Sequence, residues 1–157
     1  MNLRLKSRDI AKTAVIAALY VALVWALSPI SFGAIQVRVS NALIGIVPLV
    51  GMPGVLGITL GVLIGNIPSP LGPIDLLSAI PTFIALLLLL KLKDRSVLLG
   101  LAAYSVILSA WVGTLLSYTF GVPFLITFVY LLAGIGFATG ILGYLVYRTL
   151  RSLVEVK

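Results

Sequence analysis

The sequence predicts an all-α integral membrane protein of six transmembrane helices, with both termini in the cytoplasm. Three observations carry that expectation. Hydrophobic residues fill 61% of the 157 positions and charged residues only 10%, against roughly a quarter charged in an ordinary soluble domain. Four apolar blocks, Thr13 to Ile30, Leu76 to Leu90, Val97 to Phe120 and Pro123 to Tyr147, lie near or above the ~17 to 25 residues that carry a helix across a hydrocarbon core. Ten of the eleven Lys and Arg residues form three clusters beside these blocks. No linker, low-complexity segment or convincing internal repeat divides the chain, so residues 1–157 read as one domain in a lipid bilayer.

The clusters set the topology. Arg4, Lys6, Arg8 and Lys12 precede the first block, Lys91, Lys93 and Arg95 separate the second from the third, and Arg148, Arg151 and Lys157 follow the last. The positive-inside rule puts all ten on the cytoplasmic side. The first block is longer than the roughly 7 to 15 apolar residues of a cleavable signal, and is read as a retained helix. It exits, Leu76–Leu90 returns, Val97–Phe120 exits and the last block returns. Everything between Ser31 and Asp75 must then begin and end outside. A single helix over residues 41–66 would break this pattern, so that stretch makes two short passes. Pro48, Gly51, Pro53 and Gly54 supply the reversal, because proline removes a backbone donor and glycine tolerates a tight turn. Two thin spans or a hairpin re-entering from outside satisfy the sidedness equally.

Several chemistries are excluded. The chain has no Cys and no His, which removes disulfides, thiolate metal sites and His-based catalysis. Of its four acids, Asp9, Asp94 and Glu155 accompany the basic clusters and only Asp75 stands apart. No paired-carboxylate site, metal site or cofactor is expected, and no enzyme activity. No phosphate-binding G-x-x-x-x-G-K-[ST] loop is present, so the polypeptide has no recognisable means of binding ATP by that route. The net charge of +7 flanks apolar spans and does not form a nucleic-acid surface.

Arg38 is the one cation left on the outer side. It lies in Ala34 to Ser40, where Ile35, Val37 and Val39 alternate with Gln36, Arg38 and Ser40, the pattern of an extended strip with one polar face. The second outer segment, Gly65 to Asp75, carries Asn66, Ser69 and Asp75 in a loop stiffened by Pro68, Pro70 and Pro73. Polar, irregular backbone at membrane depth is tolerated chiefly where it lines a cavity, so the two segments together imply an outward-facing pocket for a small-molecule substrate. Each residue also has a simpler role open to it. Arg38 can meet headgroups, Asp75 can cap the helix that follows, Ser40 can cap one beginning at Asn41, and Asn66 can end a helix. Trp25 and Trp111 fit an interfacial aromatic belt or stacking on a ligand ring. Small residues form stripes at four-residue spacing: Ala14, Ala18, Ala22 and Ala26; Gly57, Gly61 and Gly65; Gly136 and Gly140. The glycines are expected to pack within the chain, and the alanines to be available to a partner.

FGAIQVRVSNAL followed by GNIPSPLGPIDLLSAIPTFIALL resembles the paired signature of the queuosine-precursor transporter (QueT) family. Members are substrate-binding (S) components of energy-coupling factor (ECF) transporters of the cell membrane. The likeness is best over residues 28–90. It implies capture of a 7-deazapurine or similar vitamin-like molecule from outside, and association with a coupling transmembrane subunit and two ATPase subunits. It assigns Ala14, Ala18 and Ala22 to docking on the coupling subunit. Gln36, Arg38, Asn41, Asn66 and Asp75 are then expected to line the pocket, with Trp25 and Trp111 as aromatic faces. The chain departs from the family pattern at Asn41, where an acidic residue is expected. Two other classes stay open: a self-sufficient transporter with Asp75 as its proton-coupled carboxylate, and a noncatalytic membrane assembly protein.

Overall fold

A helix satisfies its own N–H and C=O groups without water, and the computed structural model, which describes residues 6–33 and 36–155, is built of helices of three kinds. Arg4, Ala34, Ile35 and Lys157, which belong to the basic clusters and the alternating strip, lie outside the described residues. Four helical runs are long and apolar enough to span a bilayer: Ser7–Ala26, Gly72–Leu92, Val97–Phe120 and Phe124–Leu153.

Helix α1 (Ser7–Ala26) starts six residues before the expected block, because Asp9 caps it: the Lys6 amide donates to Asp9 Oδ2 at 3.3 Å. It stops short of Ile30, since Pro29 begins a separate turn, α2 (Ser28–Ser31). A 3₁₀ helix, Val39–Ile46, runs into α3 (Val47–Val50), and α4 (Met52–Gly65) follows Gly51. Gly51 has φ 73°, a left-handed conformation that glycine adopts without steric cost, so the reversal sits where the Pro/Gly cluster placed it. A second 3₁₀ helix, Gly72–Ser78, continues as α5 (Ala79–Leu92). Ser96 caps α6 (Val97–Phe120) by accepting from the Leu99 amide at 3.2 Å, and Gly121, with φ 68°, ends it. The last span is α7 (Phe124–Gly136), a π segment Phe137–Leu142, and α8 (Gly143–Glu155).

The reversal between the two arms of the middle region lies near the basic end of the bundle. Pro48 and Leu49 share a cavity of about 430 Å³ with Lys93, Asp94, Tyr147 and Arg151, among the basic clusters. Thr13 Oγ1, near the start of α1, donates to the Pro53 carbonyl at 3.3 Å. From there α4 rises parallel to α1: Gly57 lies against Ile16, Gly61 against Tyr20 and Gly65 against Val24. An eight-residue 3₁₀ run is uncommon, and at ~2.0 Å per residue it reaches ~16 Å where an α-helix would reach ~12 Å. Tight winding thus stretches a short arm. The start of α1 and the end of α8 lie at the basic end, and Arg38 and Asp75 lie toward the other.

The glycine stripes divide. On Gly57 and Gly61 a Cβ would stand 2.8 and 2.7 Å from the Cβ atoms of Ile16 and Tyr20, so that stripe is what lets α4 lie against α1. Around Gly136 and Gly140 no atom of the described residues, apart from their own helix's backbone, lies within 4 Å of where a Cβ would be. The expectation that they pack within the chain is therefore corrected: their faces point away from the bundle. A contact not anticipated from sequence is Gly45 against Gly143, where a Cβ on Gly45 would collide with the Gly143 carbonyl. It seats the first 3₁₀ helix beside the π segment and α8.

Candidate functional site

The alternating strip is inside out relative to a surface strand. Gln36, Arg38 and Ser40 are buried, while Val37 and Val39 are half-buried. The extended stretch is shorter than expected: two successive three-residue turns, Arg38 N–H to the Gln36 carbonyl (2.9 Å) and Val39 N–H to the Val37 carbonyl (3.1 Å), lead straight into the 3₁₀ helix. Arg38 sits at the centre of the second turn with φ −79° and ψ 89°, the inverse γ geometry. Gln36 has φ 47°, a left-handed value rare for a side chain of its size, which marks the entry to the site as strained.

Arg38 faces Asp75. Its Nη2 lies 3.7 Å from Asp75 Oδ2, with the two side chains only 8% and 1% exposed. That distance neutralises charge but exceeds a hydrogen bond. Arg38 Nε is buried with no partner among the described residues, and the guanidinium stands 5.4 Å above the Phe32 ring, close enough for cation–π attraction. Asp75 is anchored from the far side: Ser78 Oγ donates to its Oδ1 at 2.7 Å, and Trp111 Nε1 donates to Ser78 Oγ at 3.0 Å. Asn66 Nδ2 donates to the Asp75 carbonyl at 3.1 Å. A single chain of contacts, Trp111 to Ser78 to Asp75 to Arg38, therefore ties α6, the second 3₁₀ helix and the first.

Two capping expectations are overturned. Asp75 lies within the 3₁₀ helix Gly72–Ser78, which begins with Pro73 at its first turn, so its carboxylate meets a side-chain hydroxyl and not the backbone amides of a helix start. The loop expected over Gly65–Asp75 accordingly becomes helical from Gly72. Ser40 lies inside Val39–Ile46 and its hydroxyl has no partner. Asn66 does end α4, in a right-handed conformation, while its side chain bridges to Asp75 and leaves Oδ1 buried without a partner.

Gln36, Arg38, Asn41, Ser78, Thr82 and Tyr104 converge on a cavity floored by Leu108, Val112 and Ile135. Its volume is about 10 Å³, room for roughly one water. Tyr20 donates to Asn41 Oδ1 at 2.7 Å, which fixes the amide through its oxygen. The buried Gln36 Oε1 also lacks a partner among the described residues, and Thr82 Oγ1 lies against the buried Tyr104 hydroxyl. An unpartnered donor, Arg38 Nε, and an unpartnered acceptor, Gln36 Oε1, thus share one wall.

Trp25 is not brought here. Its indole donates to the Gly65 carbonyl at 3.3 Å and its side is half exposed on the α1–α4 surface. Five residues from Tyr20 is about 140° around a helix, so the two cannot share a face. Ala14, Ala18 and Ala22 line an exposed groove of about 590 Å³ beside Trp25, Leu60 and Ile64, apart from the cavity. Tyr20, Phe32, Ser78, Thr82 and Tyr104 were not anticipated. Asp75, Ser78 and Thr82 carry a legible signal, since spacings of three and four place them on one helical face.

A model of the QueT transporter family matches residues 10–152. Searches of curated proteins and of solved structures each gave no match. With four apolar helices long enough to span a bilayer and a family match over nearly its whole length, this multi-pass membrane protein is a transporter, and the chain belongs to the QueT transporter family.

Proposed function

We propose that this chain captures a queuosine precursor, a 7-deazapurine, from outside the cell membrane as the substrate-binding component of an ECF-type transporter. The observation that carries the reading is the Arg38 guanidinium: buried, with its Nε lacking a hydrogen-bond partner among the described residues, and lining a small cavity inside an apolar bundle. A buried charge with unused donors is costly, and a planar ligand rich in acceptors would satisfy it. Gln36, Arg38 and Asn41 contact the ligand, Asp75 holds Arg38 in place, and Asn66 and Trp111 hold Asp75. Six helices cross, with both termini cytoplasmic; the Gly51 reversal among the basic residues supports full crossing by both short arms. Binding opens the cavity by moving the strained Gln36–Arg38 entry.

Energy comes from partner subunits, a reading supported by the absence of a phosphate-binding loop and by the exposed groove along Ala14, Ala18 and Ala22. A proton-coupled role for Asp75 is less favoured, because its carboxylate is engaged by Ser78 and Arg38. Titration of 7-deazapurines into the purified protein tests the site: Arg38→Ala should abolish binding and Asp75→Asn weaken it, and unchanged affinity in both would remove these residues from the pocket. Co-purification with a coupling subunit and ATPases tests the partnership, and uptake by this chain alone under a proton gradient would refute it.

A further inference from the structure

We infer that the cavity discriminates by charge, admitting an uncharged 7-deazapurine and rejecting one that carries an ammonium group. This rests on the proposed function and narrows its substrate.

The wall holds one charged residue among its described residues, and that residue is a cation, Arg38. The nearest carboxylate, Asp75, is not part of the lining; one of its oxygens accepts from the Ser78 hydroxyl and the other faces Arg38 at 3.7 Å. Asp9 begins α1 and Asp94 lies beside Pro48 and Lys93, both at the other end of the bundle. Positions 34 and 35 are Ala and Ile and bring no charge. A cationic substituent entering this cavity would shed its hydration and meet a guanidinium already balanced by Asp75, with no further carboxylate to receive it.

The neutral groups of the wall suit an uncharged heterocycle. Arg38 Nε and Asn41 Nδ2 offer donors, and Gln36 Oε1 offers a buried acceptor without a partner among the described residues. An amide-like ring edge, N–H beside C=O, uses both kinds at once. Asn41 is the position at which charge preference can be changed most simply, because it lines the cavity and its Oδ1 is already held by Tyr20. An Asp there would keep the Tyr20 hydrogen bond and turn a negative oxygen toward the ligand.

The test compares two probes of nearly equal shape, 7-hydroxymethyl- and 7-aminomethyl-7-deazaguanine, titrated into the full chain near neutral pH, where the second is a cation. The hydroxymethyl probe should bind about tenfold or more tightly. In Asn41→Asp, checked for retained folding by its melting temperature, the ratio should shrink or invert. Equal or tighter binding of the aminomethyl probe by the wild type overturns the charge rule while leaving the transporter reading intact, and so does an unchanged ratio in folded Asn41→Asp. Failure of both probes to bind the wild type overturns the 7-deazapurine reading and the charge rule with it.

Discussion

The α1–α4 pair and the Arg38 side of the bundle solve the same problem in opposite ways. Along α1 and α4 both backbones are regular α-helices, and glycine at 57, 61 and 65 brings them together over apolar surface, Ile16, Tyr20 and Val24 included. Around Arg38 the chain buries Gln36, Arg38, Ser40, Asn41, Asp75 and Ser78, and there the backbone abandons α geometry for two 3₁₀ helices and a facing π segment. Side chains that must meet at defined points need offsets that a uniform 3.6-residue winding does not supply. Regular helix serves packing, and irregular helix serves placement.

Breaking the polar side should have the largest effect. Arg38→Ala leaves Asp75 buried without its countercharge and should lower stability by about 3 to 5 kcal/mol, read as thermal unfolding in detergent. A double replacement, Arg38→Met with Asp75→Leu, should recover most of that stability while binding stays lost, which separates holding the fold from holding the ligand. On the packed side, Gly61→Ala forces a Cβ to within 2.7 Å of Tyr20 Cβ and should cost about 1 to 3 kcal/mol. Ser78→Ala strips a partner from both Asp75 and Trp111; we expect a loss of about 2 kcal/mol, with a shift in Trp111 emission as a local readout against a Trp111→Phe blank. Tyr20→Phe removes only the hydrogen bond to Asn41 and should cost about 1 kcal/mol. Gly136→Ala is the smallest change: with no atom of the described residues nearby apart from its own helix's backbone, it should leave stability unchanged or raise it by up to ~1 kcal/mol through helix propensity. A large loss there would erase the distinction between the two glycine stripes.

Much of this was legible before the structure. Arg38 and Asp75 stand out because charge is rare in so apolar a chain, and the Pro48–Gly54 cluster marks the reversal because both residue types act on the local backbone. Asn66 stands out as a polar residue of the Pro-rich outer segment, and it both ends α4 and donates to the Asp75 carbonyl. Ser78 and Thr82 were readable as one face with Asp75, yet that face is recognised only once Gly72–Leu92 is taken as a single helical run. Trp25 illustrates the reverse error. Its type suits a ligand pocket, but the turn of α1 carries it to the outer surface.

Composition and cation spacing by themselves determined that the chain is helical, where its long spans lie and that its middle must double back, because burial in lipid and charge at its border act on each segment separately. Tertiary structure alone decided that Arg38 meets Asp75, that Tyr20 fixes Asn41 and that Gly45 seats against Gly143. Those contacts join residues 21 to 98 positions apart, and no local preference encodes which faces of distant helices will touch.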